Sequence, residues 1–126
     1  MSVVTKRIYA PASASDGHRV LVDRLWPRGL RRTAASIDLW LRDIAPSTEL
    51  RQWYAHDVER WPAFRERYER ELEGHGELLD RLRQLEREHG RLTLLYAARD
   101  ETHNEATVLE EVLQRRGVAD RTASGR

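Results

Sequence analysis

Short apolar runs alternate along this chain with longer stretches in which apolar residues recur every three or four positions. The short runs are typical of β-strands and span residues 5–9, 20–22, 37–41 and 92–98. The last run is the most continuous, and because Gly90 and charged residues bound it, it predicts a central strand covered on both faces. The run at 37–41 alternates apolar and polar residues, which favours an edge strand over a short helix.

The stretches with the longer period predict four amphipathic helices. The first begins after Ser47, whose side chain can cap it, and the second follows Asp57. The third ends at Gly90, a residue type that commonly terminates helices. A capping box over residues 102–105 predicts the start of the last helix, and Gly117 predicts its end.

Strands separated by helical stretches predict an α/β fold, in which a small parallel or mixed sheet of about four strands is flanked by helices. A chain of 126 residues is long enough to bury one core. We therefore expect a single domain over residues 1–119 and a flexible C-terminal tail over residues 120–126. The order of the strands stays open.

Composition narrows the classes of function. No apolar run approaches the roughly 18–20 residues of a membrane span, and the N-terminus lacks the pattern of a signal peptide. We therefore expect a cytoplasmic protein without membrane contact. The absence of cysteine excludes disulfides, thiolate catalysis and cysteine-based zinc sites.

The charges are nearly balanced, since 22 basic and 21 acidic residues give a net charge of +1. Such a balance creates no general field for nucleic acid, and the cluster of Arg28, Arg31 and Arg32 is short. We therefore do not expect a nucleic-acid partner. The five histidines lack the i,i+4 spacing of a helical metal motif, so no metal site is predicted, and no cofactor or oligomeric state is indicated.

Two segments place polar side chains directly after a predicted strand. The run at 20–22 is followed by Asp23, Arg24, Trp26 and Arg28. The run at 92–98 is followed by Arg99, His103 and Asn104. Ligands of open α/β sheets gather at the carboxyl ends of the strands, so parallel strands would bring both sets to one edge. The free N–H groups of the last helix would favour an anion at the same edge.

This arrangement predicts a site for a carboxylate, a phosphate or a similar small anion. Arg24, Arg28 and Arg99 would supply charge-assisted hydrogen bonds. His103 and Asp23 are the catalytic candidates: His103 would transfer a proton, and Asp23 would accept from the ligand or orient an arginine.

Neutral groups complete the predicted site. Asn104 or Ser47 would donate a neutral hydrogen bond, and Trp26, beside Pro27, would line the site or meet a partner. Whether the site turns over a ligand stays open at this point.

Other hypotheses fit the same residues. Asp23 and Arg24 could pair with each other, and the segment 23–29 could serve folding alone. Trp26 and Trp53, with nearby arginines, could instead dock a protein or RNA partner, which would make the chain an interaction module.

One string is unusually specific, Asp-Arg-Leu-Trp-Pro-Arg-Gly at residues 23–29. It stands with further segments at residues 6–9, 45–47, 49–51, 94–100 and 103–106. With these segments the chain resembles the YeaO-like family of uncharacterised bacterial proteins over roughly residues 5–114. The resemblance implies a compact α/β fold and brings no established activity. More distant relatives carry cysteines after the last strand, where this chain has Tyr96, Ala97 and Ala98, so the resemblance implies no thiol chemistry.

Overall fold

The computed structural model describes the backbone of residues 2–124 and the side chains of residues 2–116. Its centre is one four-stranded sheet, formed by β1 (Ser2–Arg7), β2 (His18–Leu21), β3 (Leu39–Trp40) and β4 (Arg91–Tyr96). The strands lie in the order β1-β4-β2-β3, and every pair is parallel. The predicted single-domain α/β fold is therefore confirmed. β4 is central as predicted, and the edge strand β3 is only two residues long.

Four α-helices connect and cover the strands: α1 (Thr48–Tyr54), α2 (Trp61–Glu73), α3 (Gly76–His89) and α4 (Glu105–Ser124). Ser47 caps α1 as predicted, because its hydroxyl accepts from the Leu50 N–H at 3.1 Å. The prediction that Gly117 ends the last helix is wrong. Glycine within a helix costs only about 1 kcal/mol relative to alanine, so it does not by itself stop one. Residues 125 and 126 of the predicted tail lie outside the described residues, and its flexibility stays a prediction.

The apolar residues of the sheet are buried on both of its faces. Leu94 lies in the larger core, where α2 contributes Phe64, Tyr68 and Leu72. Leu95 points into a smaller core on the other face, against which Trp26 and Trp40 pack. This two-sided burial explains why β4 has the longest apolar run in the chain. No helix among the described residues is long and apolar enough to cross a membrane.

A buried ionic cluster precedes β2. The Asp16 carboxylate, 7% exposed, accepts from Lys6 Nζ at 3.1 Å and from Arg19 Nη1 at 2.5 Å. Burial raises the pKa of Asp16, but the Ser13 N–H and these two cations outweigh it and leave the pKa below its ordinary value. The next residue must be glycine, because Gly17 has φ +66° and a Cβ there would lie 2.3 Å from the Arg91 carbonyl oxygen.

Asp16→Asn is expected to lower the free energy of unfolding by about 2–4 kcal/mol at pH 7, because it leaves two cations with a neutral partner. A depressed pKa means that this stabilisation is present above the ordinary aspartate pKa and is lost as the pH falls. Urea unfolding at pH 7 and at acid pH would therefore show the gap between wild type and variant closing in acid. Asp80→Asn, at an exposed ion pair, is the control and should cost under about 1 kcal/mol. A gap that stays constant with pH would contradict this account.

Candidate functional site

Parallel pairing of β2 and β4 brings their two polar tails to the same edge of the sheet. A hydrogen bond joins the tails directly, since the Ala97 N–H donates to Asp23 Oδ2 at 2.9 Å. The segments after the two strands therefore meet at one edge, as expected for parallel strands. A cavity of about 430 Å³ opens there. Six of the predicted site residues line it, namely Asp23, Arg24, Trp26, Arg28, His103 and Asn104.

Two predicted site residues are not among the walls of this cavity. Ser47 lines a separate shallow groove beside Trp53, and its hydroxyl donates to Glu71 Oε2 at 2.6 Å. Arg99 is exposed on the segment between β4 and α4. The predicted roles of Ser47 and Arg99 in ligand binding therefore gain no support from the geometry.

Arg24 is half-buried and tied to the segment before α1. Its Nε donates to the Pro46 carbonyl at 3.2 Å, and its Nη2 donates to the Ala45 carbonyl at 3.2 Å. Asp23 points instead to the Ala97 N–H. The two neighbours in sequence thus bond to different segments, and no salt bridge between them is found within residues 2–116.

The tryptophan of the same loop is held by the protein itself. Trp26 Nε1 donates to the Leu30 carbonyl at 2.7 Å, and its ring meets Trp40 edge to face at 5.4 Å. The Arg32 guanidinium lies 4.9 Å from the Trp26 ring centre. Trp40 in turn donates from Nε1 to the Asp23 carbonyl at 2.7 Å. These contacts fix the shape of the loop that forms one wall of the cavity.

The residue that caps α4 differs from the one in the predicted capping box. Asn104, only 2% exposed, caps the helix, because its Oδ1 accepts from the Thr107 N–H at 3.1 Å while its Nδ2 donates to the Asp100 carbonyl at 2.9 Å. Thr102 was predicted as the cap, yet its hydroxyl bonds to Asp100 Oδ1 at 3.0 Å. The helix starts at Glu105, so Thr102 stands too early to reach its free N–H groups.

His103 has a carboxylate partner, Asp100, that was not among the predicted site residues. Its Nδ1 lies 2.9 Å from Asp100 Oδ2, and its ring meets Trp61 edge to face at 5.2 Å. The N–H groups of Thr102 and His103 hold the pKa of Asp100 far below its ordinary value. Asp100 therefore stays ionised and orients the imidazole at the cavity wall, which is how a proton-transfer histidine is commonly held.

Glu105, the last residue of the predicted capping box, is a site residue that the sequence pattern does not indicate. The residue is half-buried, and its carboxyl group is desolvated and hydrogen-bonded to the Asp23 carboxyl. Burial, followed by the negative charge of Asp23, raises the pKa of Glu105 well above its ordinary value. The raised pKa favours the protonated form of the Glu105 carboxyl group beside the Asp23 carboxyl group. Only the folded chain reveals this pair, since 82 positions separate its members.

Cationic and aromatic side chains line the cavity too, beside several aliphatic residues. Arg51 of α1 lines the cavity, as do His56, Tyr9 and the buried rings of Tyr54 and Phe64. The Tyr54 and Phe64 rings stack with their centres 4.3 Å apart. Arg51 was not predicted, and α1, which carries it, comes from a different part of the chain than the two strand tails. Within residues 2–116, no group of three or more carboxylates and histidines could hold a metal ion.

Comparisons with known proteins place these features in a family without assigned chemistry. Residues 2–125 match the family described as the inactive DUF488-N3 subclade. The uncharacterised protein YeaO of Escherichia coli (strain K12) is 45% identical over 114 residues, which cover 90% of this chain and 98% of that protein. An uncharacterised protein of Mycobacterium tuberculosis is 41% identical over 112 residues, covering 87% of this chain and 92% of that protein. No solved structure matches.

Glu105→Gln is expected to remove a pH-dependent loss of stability. The raised pKa of Glu105 means that wild-type stability is greatest below the ordinary glutamate pKa and falls as the pH rises through the folded-state value. Glutamine does not titrate, so the stability of the variant relative to wild type should increase with pH. Urea unfolding between pH 5 and about 9 would measure this, with exposed Glu73→Gln as the matched control. Parallel stability curves for wild type and Glu105→Gln would refute the raised pKa of Glu105.

Asn104→Ala is expected to lower the free energy of unfolding by about 1–2 kcal/mol, because α4 loses its cap and the Asp100 carbonyl loses a buried donor. Thr102→Ala should cost less than about 0.5 kcal/mol, since Thr102 is exposed. Thermal unfolding of the two variants side by side would test the assignment. A larger loss for Thr102→Ala than for Asn104→Ala would return the cap to Thr102.

Proposed function

This chain belongs to the family described as the inactive DUF488-N3 subclade, and from that premise we propose that its cavity binds a small anionic ligand, a carboxylate or a phosphate, without transforming it covalently. The family description favours binding over turnover. So does the absence of cysteine, since the segment after β4 offers no thiolate. The cytoplasmic location predicted from the sequence is part of this proposal.

The observation that carries the proposal is a set of cavity arginines without carboxylate partners among residues 2–116. Arg24, Arg28 and Arg51 line the cavity, and none of them forms a salt bridge with any described carboxylate. Some arginines outside the cavity do form ion pairs, among them Arg19 with Asp16 and Arg65 with Glu111. Arginine guanidinium groups without an internal anion are well suited to a carboxylate or phosphate from solution.

The balance of charge inside the cavity supports the same conclusion. Asp23 and Glu105 supply the carboxyl groups of its walls, and the raised pKa of Glu105 lessens the negative charge there. The three arginines outweigh that charge. α4, twenty residues long, also begins at this edge, and the partial positive charge of its N-terminus adds to the attraction for an anion.

The alternative, a module that docks a partner through Trp26 and Trp53, has weaker support. The indole N–H of Trp26 is already bonded to the Leu30 carbonyl, and Arg32 lies over its ring. Trp53 lines the separate groove, where Arg67 lies 4.2 Å from its ring centre. The two tryptophans thus lie on different concave surfaces and have intramolecular contacts of their own.

Binding of inorganic phosphate and of acetate tests the proposal. Because a ligand that binds only the folded state stabilises it, both anions should raise the melting temperature in proportion to their affinity. Arg28→Gln and Arg51→Gln should each weaken binding several-fold, and the double variant about tenfold or more, because each removes a charge-assisted hydrogen bond. These exposed residues are preferable to Arg24, whose substitution would also break two contacts with the backbone.

The control is Arg87→Gln, which removes the same charge from an exposed position on α3, outside the cavity. It should leave anion binding within about twofold of wild type, because only screened, long-range electrostatics change. An equal rise in melting temperature for wild type, the control, Arg28→Gln and Arg51→Gln would contradict the proposal. The proposal would also be contradicted if added anion changed amide chemical shifts only far from residues 97–104.

A further inference from the structure

His103 lines the cavity, and hydrogen bonds hold its ring through one nitrogen. Its Nδ1 lies 2.9 Å from Asp100 Oδ2 and 3.0 Å from the Thr102 hydroxyl oxygen. Its Nε2 has no hydrogen-bond partner within residues 2–116. Because the His103 side chain is 33% exposed, Nε2 is the ring nitrogen that remains for a ligand.

The surroundings of Nδ1 determine which nitrogen carries the proton of the neutral ring. Asp100 Oδ1 accepts from the Thr102 N–H, the His103 N–H and the Thr102 hydroxyl, each at 3.0 Å. Asp100 is an ionised carboxylate, so it can only accept hydrogen bonds. An unprotonated Nδ1 would place two acceptors 2.9 Å apart, and the proton therefore lies on Nδ1. Nε2 then keeps its lone pair and is an acceptor.

A cation of the cavity stands on a segment that contacts His103. The Tyr54 hydroxyl donates to the His103 carbonyl at 3.3 Å, which joins α1 to the segment before α4. Arg51 precedes Tyr54 by three residues on α1, a spacing that puts two side chains on the same side of a helix, and both residues line the cavity. The cavity wall therefore offers a cationic donor, Arg51, and a neutral acceptor, His103, on two segments that contact each other.

We propose that the ligand of this cavity is a small anion that carries a hydroxyl group, such as a hydroxycarboxylate. Its charged group binds the cavity arginines, and its O–H donates to His103 Nε2. Asp100 is a positioning residue, because it fixes the tautomer of the histidine. This inference rests on the proposed function and names the class of anion for the same site.

Two matched pairs of probes test the hydroxyl group. Glycolate is acetate with a hydroxyl on its methyl group, and 3-hydroxypropanoate extends propanoate in the same way with a longer reach. NMR titration at about pH 8, where an ordinary imidazole is neutral, should give the hydroxyl-bearing member of at least one pair about threefold to tenfold higher affinity, the gain from one hydrogen bond. Methoxyacetate, whose ether oxygen cannot donate, should bind no more tightly than acetate.

Variants of the histidines assign the acceptor. His103→Phe keeps a flat ring against Trp61 and removes Nε2, so it should bring the ratio of glycolate to acetate affinity, or of the longer pair, to about one. His89→Phe, at an exposed position on α3 outside the cavity, is the matched control and should leave the ratio at its wild-type value. If His56→Phe equalises the pair and His103→Phe does not, the acceptor is His56 and the inference is wrong.

Asp100→Asn tests the tautomer itself. The asparagine oxygen would keep the N–H groups of Thr102 and His103, so its NH₂ group would face Nδ1 and donate to it, which moves the ring proton to Nε2. Hydrogen–nitrogen NMR correlation spectra should therefore show Nδ1–H in wild type and Nε2–H in the variant. Methoxyacetate should then gain affinity relative to glycolate, because an N–H at Nε2 suits an ether oxygen. A purely structural role of Asp100 would change neither the tautomer nor this ratio.

The outcomes separate this inference from the proposal on which it rests, and the comparison of probes on wild type does not depend on the variants. If acetate and propanoate bind and neither hydroxyl-bearing probe binds more tightly, the cavity binds anions and the hydroxyl group is wrong. Equal binding of methoxyacetate and glycolate to wild type, or an Nε2–H signal from wild-type His103, would overturn the role of Nε2 as acceptor. If none of the probes binds, both proposals are refuted.

Discussion

The parallel pairing of β2 with β4 is the constraint on which the rest of the site depends. It brings the segments after both strands to one edge of the sheet and allows the Ala97 N–H to bond to Asp23. Asp23 has further contacts at this edge, since Trp40 bonds to its carbonyl and Glu105 bonds to its carboxyl group. An antiparallel arrangement would put the same residues at opposite ends of the sheet and leave no shared site.

Local patterns allowed much of the fold to be predicted, because they depend on neighbours in sequence. The alternation of strands and helices, the cap at Ser47 and the central place of β4 all follow from spacing and burial. The prediction from Gly117 was wrong because a helix tolerates a glycine. The predicted box at 102–105 was wrong because these four residues include two that can cap a helix, Thr102 and Asn104. Asn104 prevails there, since its amide satisfies both the helix and the Asp100 carbonyl.

The chemistry of the site was predicted less completely, because it depends on long-range contacts. Glu105 acquires its altered pKa from Asp23 and from burial, neither of which a local pattern contains. Arg51 reaches the cavity from α1, which sequence patterns cannot position relative to the sheet. Ser47 and Arg99 have residue types suited to an anion site, but their backbone positions direct them elsewhere. Residue type thus indicates which side chains could bind an anion, and the topology of the fold determines which of them line the cavity.

The backbone bonds of Arg24 have a consequence for how the cavity would meet a ligand. Because two of its nitrogens donate to the carbonyls of Ala45 and Pro46, its guanidinium is already held in place by the protein itself. Ordering a free arginine side chain costs about 0.5–1.5 kcal/mol of entropy on association, and Arg24 has met that cost during folding. Arg28 and Arg51 are exposed, so ordering their side chains on association would cost this entropy. The cavity therefore combines one preorganised cation with two exposed ones, so an anionic ligand would find one anchor already in place and would order the other two on binding.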